Sequence, residues 1–115
     1  MRYLPTPKDN RPPQANEVLF IYGTLNQPDV QMHIIGRYDM GKPDVLTGYR
    51  KTQVTLENAA HPMIFAAPGE IVQGNCIRVT SAELKQIDIY ETDAYQRVRV
   101  TLRSGRAAWV YAKPE

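Results

Sequence analysis

The sequence is poor in several residue types, and each shortage excludes a class of protein. Its 115 residues include one cysteine, Cys76, so no intramolecular disulfide can form and a reducing compartment is expected. Two Phe and one Trp stand against seven Tyr, a bias typical of half-polar pockets or interfaces. Apolar runs such as residues 18–22 are too short to cross a bilayer, and no signal-peptide core precedes them. We therefore predict a soluble, cytoplasmic protein with no membrane partner.

An excess of charge of one sign is also missing. Fourteen Lys and Arg balance twelve Asp and Glu to leave a net charge of +2, whereas duplex-DNA binders usually carry a clearly basic face. The arginines near the C-terminus are explained by a solvated strand face, so no nucleic-acid partner is predicted. His33 and His61 lack metal-ligand spacing with Cys76, which in turn has no activating basic neighbour. We expect no metal site and an inert thiol.

Proline is unevenly distributed along a chain of otherwise ordinary composition. Apolar residues make up 43% and charged residues 23% of the sequence, which suits one packed domain. Residues 1–16 hold four of the nine prolines, so an extended backbone is expected there. We predict an N-terminal arm over residues 1–16, either mobile or packed through Tyr3 and Leu4 on this or a neighbouring subunit. Residues 17–115 then form a single domain, and a homodimer is left open.

The first half of the domain predicts strands with one helix between them. The run Val18–Tyr22 is apolar throughout and rich in β-formers, as expected of a strand buried on both faces. Asn26 is a candidate N-cap for the helix that follows, and Gly36 is expected to end that helix. Two further strands are predicted, one near Val45 and one over Tyr49–Leu56.

The middle of the domain predicts a turn, a strand and a second helix. Pro68-Gly69 is a turn signal, and the strand expected over Ile71–Val79 follows it. Gly74 lies inside that strand and indicates a bulge or a close approach of another backbone segment. The segment Thr80–Glu83 matches a capping box, so a helix should begin there and end near Tyr90–Thr92.

The C-terminal segment predicts a β-hairpin. Apolar and polar residues alternate over Gln96–Arg103, and Ser104-Gly105 is a candidate two-residue turn after it. In the second strand, Ala107, Trp109 and Tyr111 alternate with Ala108, Val110 and Ala112. Strands outnumber helices without a repeated β-α-β rhythm. The fold class is therefore α+β, with a mostly antiparallel or mixed sheet that can close into a small barrel.

Two segments have the residue types of a functional site. After the buried strand, the loop Tyr22–Leu25 contains a glycine and precedes a helix, so its backbone N–H groups can converge on an anion or oxyanion. An ordinary strand-to-helix turn is the alternative for this loop. The other segment holds Asp88, Glu91 and Asp93 at a helix C-terminus, where the macrodipole favours cations instead. Burial there would raise a carboxyl pKa and suit it to proton transfer, whereas a solvated helix end is the alternative.

These segments, taken together, resemble the gamma-glutamylcyclotransferase-like (avirulence-induced-gene-like) family. The resemblance covers residues 18–112 and is based on the order and spacing of several motifs. They are Leu19–Leu25 (LFIYGTL), His61–Ile64 (HPMI), Val72–Val79 (VQGNCIRV), Ile87–Glu91 (IDIYE) and Tyr95–Arg97 (YQR).

The resemblance implies a fold, a reaction and a set of site residues. The fold is a small mixed β-barrel with short helices and a pocket at one end. The reaction is attack of the α-amino group of a γ-glutamyl compound on its own γ-carbonyl, which gives 5-oxoproline and a free amine without metal or cofactor. Glu91 is implied as the catalytic acid/base. The implied substrate-binding residues are Tyr22, Gly23, Thr24, Leu25 and Tyr95, and the tyrosine surplus suits such a pocket.

One position departs from the family pattern. Many relatives have glycine directly after the glutamate, whereas Thr92 follows Glu91 in this sequence. A side chain there can alter the helix end or the pocket rim, and hence the substrate. The alternative function is a non-catalytic module that binds a small metabolite on the same fold.

Overall fold

The computed structural model describes residues 12–115. The predicted arm, residues 1–16, lies mostly outside the described residues, as do Tyr3 and Leu4, and Ala15 at its end is buried. The elements are β1 (Glu17–Ile21), α1 (Pro28–Ile35), β2 (Lys42–Leu56), β3 (Ala59–Val79), α2 (Ser81–Glu91), β4 (Gln96–Thr101) and β5 (Ala107–Ala112), with short 3-10 turns at Thr24–Asn26 and Thr92–Ala94. Among these residues no helix is both long and apolar enough to cross a membrane.

The five strands form one mixed sheet in the order β2-β3-β1-β5-β4. β1 runs parallel to β5, and the other neighbouring pairs are antiparallel. The sheet curls into a half-barrel, so the tip of the β4–β5 hairpin returns to β2. There the Arg103 N–H donates to the Val45 carbonyl at 2.8 Å, and the Ser104 hydroxyl donates to Asp44 at 2.6 Å. The predicted α+β class with a mixed, barrel-like sheet is confirmed.

The central strand is buried on both faces, as its sequence predicted. Phe20 is 1% exposed and packs inside the curl of the sheet, against residues that include Ile64 and Val110. Leu19 and Ile21 are as deeply buried on the other face, where the apolar side of α2 covers them. Both faces are apolar because each covers a separate part of the core.

Gly74 lies beside this strand, where the two backbones approach closely. A Cβ atom at Gly74 would lie 2.5 Å from the Ile21 carbonyl oxygen and 2.6 Å from the Phe20 ring. The close approach expected at Gly74 is therefore present. The alternative, a bulge, is not found, because the pairing of β2 with β3 continues in register through Gly74. Only glycine lets β3 lie this near to β1.

The long β2–β3 hairpin replaces the shorter elements that were predicted. The strands predicted near Val45 and over Tyr49–Leu56 are one strand, and Pro68-Gly69 does not reverse the chain. Instead, residues 67–70 of β3 lie opposite Gly48 alone, because Thr47 pairs with Ile71 and Tyr49 with Ala66. The predictions of two strands and of a turn were wrong because the proline and glycine are accommodated as a bulge that bends a continuous hairpin.

Two local boundaries also differ from prediction. Asn26 is not the N-cap of α1: Gln27 holds that place without a side-chain bond, while the Asn26 amide donates to the Ile21 carbonyl at 3.2 Å. The β4–β5 connection is a three-residue loop rather than a two-residue turn, because the Leu102 N–H bonds to the Arg106 carbonyl and Gly105 takes a φ of +92°. The predicted end of α1 at Gly36 and the predicted start of α2 at the Thr80–Glu83 capping box are confirmed.

Candidate active site

A pocket opens where β1 ends. It lies between the loop that follows β1, the end of α2 and the start of β3. All six residues that the sequence assigned to a site line it: Tyr22, Gly23, Thr24, Leu25, Glu91 and Tyr95. Phe20, Ile21, Pro62 and Tyr111 complete the lining. Folding thus brings together two segments that are far apart in the chain.

The loop after β1 lines the pocket, and its backbone N–H groups are candidate hydrogen-bond donors. Within the described part of the chain, no hydrogen bond to protein uses the N–H groups of Gly23, Thr24 or Leu25. They are free because the first amides of a helical turn have no partner within that turn. A Cβ atom at Gly23 would lie 2.5 Å from the Pro62 ring, so a side chain there would push the loop away from β3. The close contact therefore keeps the loop against β3.

A chain of hydrogen bonds fixes two tyrosines that line the pocket, Tyr22 and Tyr111. The Tyr22 hydroxyl donates to the backbone carbonyl of Tyr111 at 2.6 Å. The Tyr111 hydroxyl donates to Asp88 at 2.6 Å, and Arg97 donates to the same carboxylate at 2.8 Å. Burial raises the pKa of both phenols, so they remain neutral donors and rigid walls.

Glu91 is the last residue of α2, and its carboxyl group reaches the pocket. Burial raises its pKa from 4.5 to about 7. A carboxyl group with such a pKa exchanges a proton easily near neutral pH. The other two carboxylates of this segment differ, since Asp88 is paired with Arg97 and Asp93 is exposed outside the pocket. Only one of the three carboxylates is therefore available for proton transfer in the pocket.

Tyr95 ties the end of α2 to β3. Its hydroxyl donates to the Pro62 carbonyl at 2.7 Å, and its backbone N–H donates to the Thr92 carbonyl at 3.4 Å. Burial and the nearby charge of Glu91 raise the pKa of Tyr95 to about 12. Tyr95 is thus a neutral phenol that closes one side of the pocket next to Glu91.

Thr92 takes a backbone conformation that favours glycine. Its φ is +62° and its ψ is −169°, a region in which a residue with a side chain costs about 1–3 kcal/mol. The Thr92 hydroxyl accepts a hydrogen bond from the Ala94 N–H at 3.2 Å, which offsets part of this cost. The backbone conformation at this position is one that glycine adopts without strain, which accounts for the glycine of the family pattern. This chain has threonine there instead.

Sequence reasoning missed two contributors to the site. Pro62 contacts Gly23 and accepts the Tyr95 hydrogen bond, and Asp88 anchors Tyr111 from outside the pocket. The family motif HPMI contains Pro62, but the resemblance gave this proline no role in the site. The second needed the tertiary pairing of α2 with β5, which no local pattern contains.

The remaining candidates have structural partners. Cys76 is buried, burial raises the pKa of its thiol, and its sulfur lies 3.9 Å from Asp44. Arg97 and Arg99 lie over the Trp109 ring, at 4.3 and 4.8 Å from its centroid. Within residues 12–115 no three His, Cys, Asp or Glu side chains group as metal ligands. In the β4–β5 hairpin, Arg97 and Arg99 thus contact Trp109 of the same chain.

Comparison with known proteins supports the family resemblance found in the sequence. A family described as "Gamma-glutamyl cyclotransferase, AIG2-like" matches residues 19–115. Protein AIG2 C of Arabidopsis thaliana is 35% identical over 89 residues, which are 76% of this chain and 52% of that protein. The chain therefore spans about half the length of this curated relative.

Solved structures agree with this match. A solution structure of an Arabidopsis thaliana protein has a TM-score of 0.69 and 28% identity, and covers 84% of this chain and 61% of its own. A structure described as gamma-glutamyl cyclotransferase shares the fold at a TM-score of 0.60 and 17% identity, covering 86% of this chain and 67% of its own. Together with the match to residues 19–115, this shows that the chain belongs to the AIG2-like gamma-glutamyl cyclotransferase family.

Proposed function

We propose that the protein is a γ-glutamyl cyclotransferase that converts a γ-glutamylamine or γ-glutamyl amino acid to 5-oxoproline and a free amine. The observation that supports this most strongly is the position of Glu91. A carboxyl group with a pKa of about 7 lies in the same small pocket as the free N–H groups of the Gly23–Leu25 loop. A base that becomes an acid and a set of oxyanion donors are the two parts that this cyclisation needs.

The chemistry requires no nucleophile from the protein. Glu91 takes a proton from the α-ammonium group of the substrate, and the freed amine attacks the γ-carbonyl carbon to form a new C–N bond. The carbonyl oxygen becomes an oxyanion, which the loop N–H groups stabilise. Glu91 then returns the proton to the leaving nitrogen as the old amide bond breaks. It next takes the second proton from the ring nitrogen and passes it to the freed amine, which departs as an ammonium ion. Atoms and charge balance without water, metal or cofactor.

Two effects lower the activation free energy of this reaction. Holding the amine against the carbonyl within one molecule contributes about 7–11 kcal/mol when the geometry is right. Each well-placed oxyanion donor contributes roughly 2.7–4 kcal/mol. We expect the γ-glutamyl group to bind at the pocket beside Glu91, with the amine portion extending outward. Tyr22 and Tyr95 then serve as fixed walls that position the substrate.

A panel of γ-glutamyl compounds tests the proposal. The protein is incubated with γ-glutamyl amines and γ-glutamyl amino acids, and 5-oxoproline is measured by chromatography. We expect 5-oxoproline and the free amine in equal amounts from at least one compound. Absence of product from the whole panel, with the protein folded, would contradict the proposed activity.

A binding module without catalysis is the second candidate, and Thr92 favours it. A strained threonine beside Glu91 can move the carboxyl group away from a productive position while the pocket persists. In that case, γ-glutamyl compounds would raise the melting temperature of the protein without yielding 5-oxoproline. Product formation in the panel rules this candidate out.

A further inference from the structure

Gln31 is a buried polar residue on α1, close to the loop that lines the pocket. Its side chain is 0% exposed, whereas the other buried polar residues in the described part of the chain, Arg37 and Glu83, pair with each other. Val30 and Ile34 of the same helix pack against the apolar core. Because a buried amide is costly unless its hydrogen bonds are made, an apolar residue would suit this place better if packing were its only task.

Both polar atoms of this amide have partners. Gln31 Nε2 donates to the Leu25 carbonyl at 2.8 Å and to the Asp39 carbonyl at 3.0 Å. Gln31 Oε1 accepts a hydrogen bond from the Asp39 N–H at 2.9 Å. The side chain therefore joins Leu25, in the loop that lines the pocket, to Asp39, in the segment between α1 and β2.

The segment around Asp39 is itself held against the sheet. The Asp39 carboxylate accepts hydrogen bonds from the Gly41 N–H at 2.8 Å and from the Arg78 N–H of β3 at 3.2 Å. A Cβ atom at Gly41 would lie 2.4 Å from the Cys76 carbonyl oxygen, so this segment lies directly on β3. Gln31 thus connects the pocket loop to a part of the molecule that is anchored on a central strand.

The bond to Leu25 also bears on the direction of the loop N–H groups. Residues Thr24–Asn26 form a 3-10 turn, and in such a turn the carbonyl and N–H groups point in opposite directions along the axis. Holding the Leu25 carbonyl beside α1 therefore fixes the orientation of the whole turn. The candidate donors of the loop are the N–H groups of Gly23, Thr24 and Leu25, so their placement depends on this bond.

We propose that Gln31 is a positioning residue for the cyclisation, which holds the pocket loop where its N–H groups stabilise the oxyanion. This role rests on the proposed cyclotransferase activity and adds a residue outside the pocket lining, since Gln31 acts through Leu25. Oxyanion donors act mainly in the transition state, so loss of Gln31 should lower kcat rather than raise KM.

Gln31→Met tests the role, because methionine has a similar length and loses all three hydrogen bonds. With one γ-glutamyl substrate that the unmodified protein converts, kcat should fall at least about tenfold while KM changes less than about threefold. The midpoint of the kcat–pH profile should not move, because Glu91 lies on α2 whereas the Gln31 bonds go to Leu25 and Asp39.

Trp109→Phe is the matched control for lost stability. Trp109 Nε1 donates to Glu17 at 2.8 Å, at the end of β1 that is opposite to the pocket loop, and Trp109 does not line the pocket. This variant loses a partly buried hydrogen bond and should retain kcat.

Gln31→Glu is a second, milder variant. A buried carboxyl group holds its proton, so glutamic acid keeps the acceptor for the Asp39 N–H and one donor. Its kcat should lie between those of the unmodified protein and Gln31→Met, with KM unchanged.

The outcomes separate this inference from the proposed function. An undiminished kcat in folded Gln31→Met, an equal loss of kcat in Trp109→Phe, or a rise in KM alone would overturn the inference and leave the cyclotransferase proposal intact. If Gln31→Met does not fold, Gln31→Glu decides, and a kcat equal to that of the unmodified protein overturns the inference. Absence of 5-oxoproline from the unmodified protein across the whole panel would contradict the proposed activity, and the inference with it.

Discussion

At the scale of single residues, burial separates Glu91 from its two acidic neighbours. The sequence left open whether the three clustered carboxylates form a solvated helix end or include one with a raised pKa, and the resemblance selected Glu91. The tuning comes from desolvation at the end of α2. Asp88 instead anchors Tyr111, and this role was not predictable from the sequence because it depends on where β5 lies.

The raised pKa of Glu91 has a consequence for stability. A carboxyl group with a folded pKa of about 7 and an unfolded value near 4.5 holds its proton more tightly in the folded state. Its contribution to the free energy of unfolding is therefore present below about pH 4.5 and is lost as pH rises through 7. We expect Glu91→Gln, which stays neutral, to be more stable than the parent by roughly 1–3 kcal/mol at pH 8.

Urea unfolding at several pH values measures this difference. Near pH 4.5 the variant and the parent should have similar free energies of unfolding, since both side chains are then neutral. A parent protein whose stability relative to the variant does not change between pH 4.5 and 8 would show that Glu91 titrates normally.

Thr92 gives a second prediction at this scale. Thr92→Gly should relieve strain at a φ of +62° and raise the free energy of unfolding by about 1 kcal/mol, after the entropy cost of glycine. Thr92→Ala is the matched control, because it keeps the strained φ and loses the bond to the Ala94 N–H. It should therefore be destabilising in the same denaturation experiment. If Thr92→Gly is as unstable as Thr92→Ala, the backbone at position 92 is not strained.

At the scale of elements, local signals predicted the end of α1 and both ends of α2, but neither the start of α1 nor the long strands. The capping box at Thr80–Glu83 and the left-handed Gly36 act within a few residues, so the sequence alone specifies them. The turn signal at Pro68-Gly69 was misleading, because pairing of β3 with β2 along its whole length outweighs a local preference. Long-range pairing of this kind leaves no mark in a short window of sequence.

Gly74 tests the close packing of these elements. Gly74→Ala places a methyl group against the Ile21 carbonyl and the Phe20 ring, so we expect a loss of about 1–3 kcal/mol in the free energy of unfolding. Gln73→Ala changes the neighbouring exposed position of the same strand and should cost less than about 0.5 kcal/mol. Equal effects of the two substitutions in urea denaturation would contradict the close approach.

At the scale of the whole molecule, the curl of the sheet assembles the site. β1 lies between β3 and β5, so the loop after β1 meets Pro62 on one side and Tyr111 on the other. α2 packs across β1 and delivers Glu91 to the same place. Composition and periodicity predicted the α+β class and the two chemical segments. Their meeting point depends on strand order, and it was expected only through the family resemblance.

The central claim is that Glu91 transfers the proton in a pocket formed by this assembly. Its most direct test is the rate of 5-oxoproline formation by the unmodified protein, Glu91→Gln and the matched control Asp93→Asn, with one active γ-glutamyl substrate. Glutamine keeps the shape of the side chain but cannot exchange the proton, so Glu91→Gln should lose at least about 10²-fold in kcat. Asp93→Asn should retain most activity, because Asp93 lies outside the pocket. A folded Glu91→Gln protein with undiminished 5-oxoproline formation would contradict the claim.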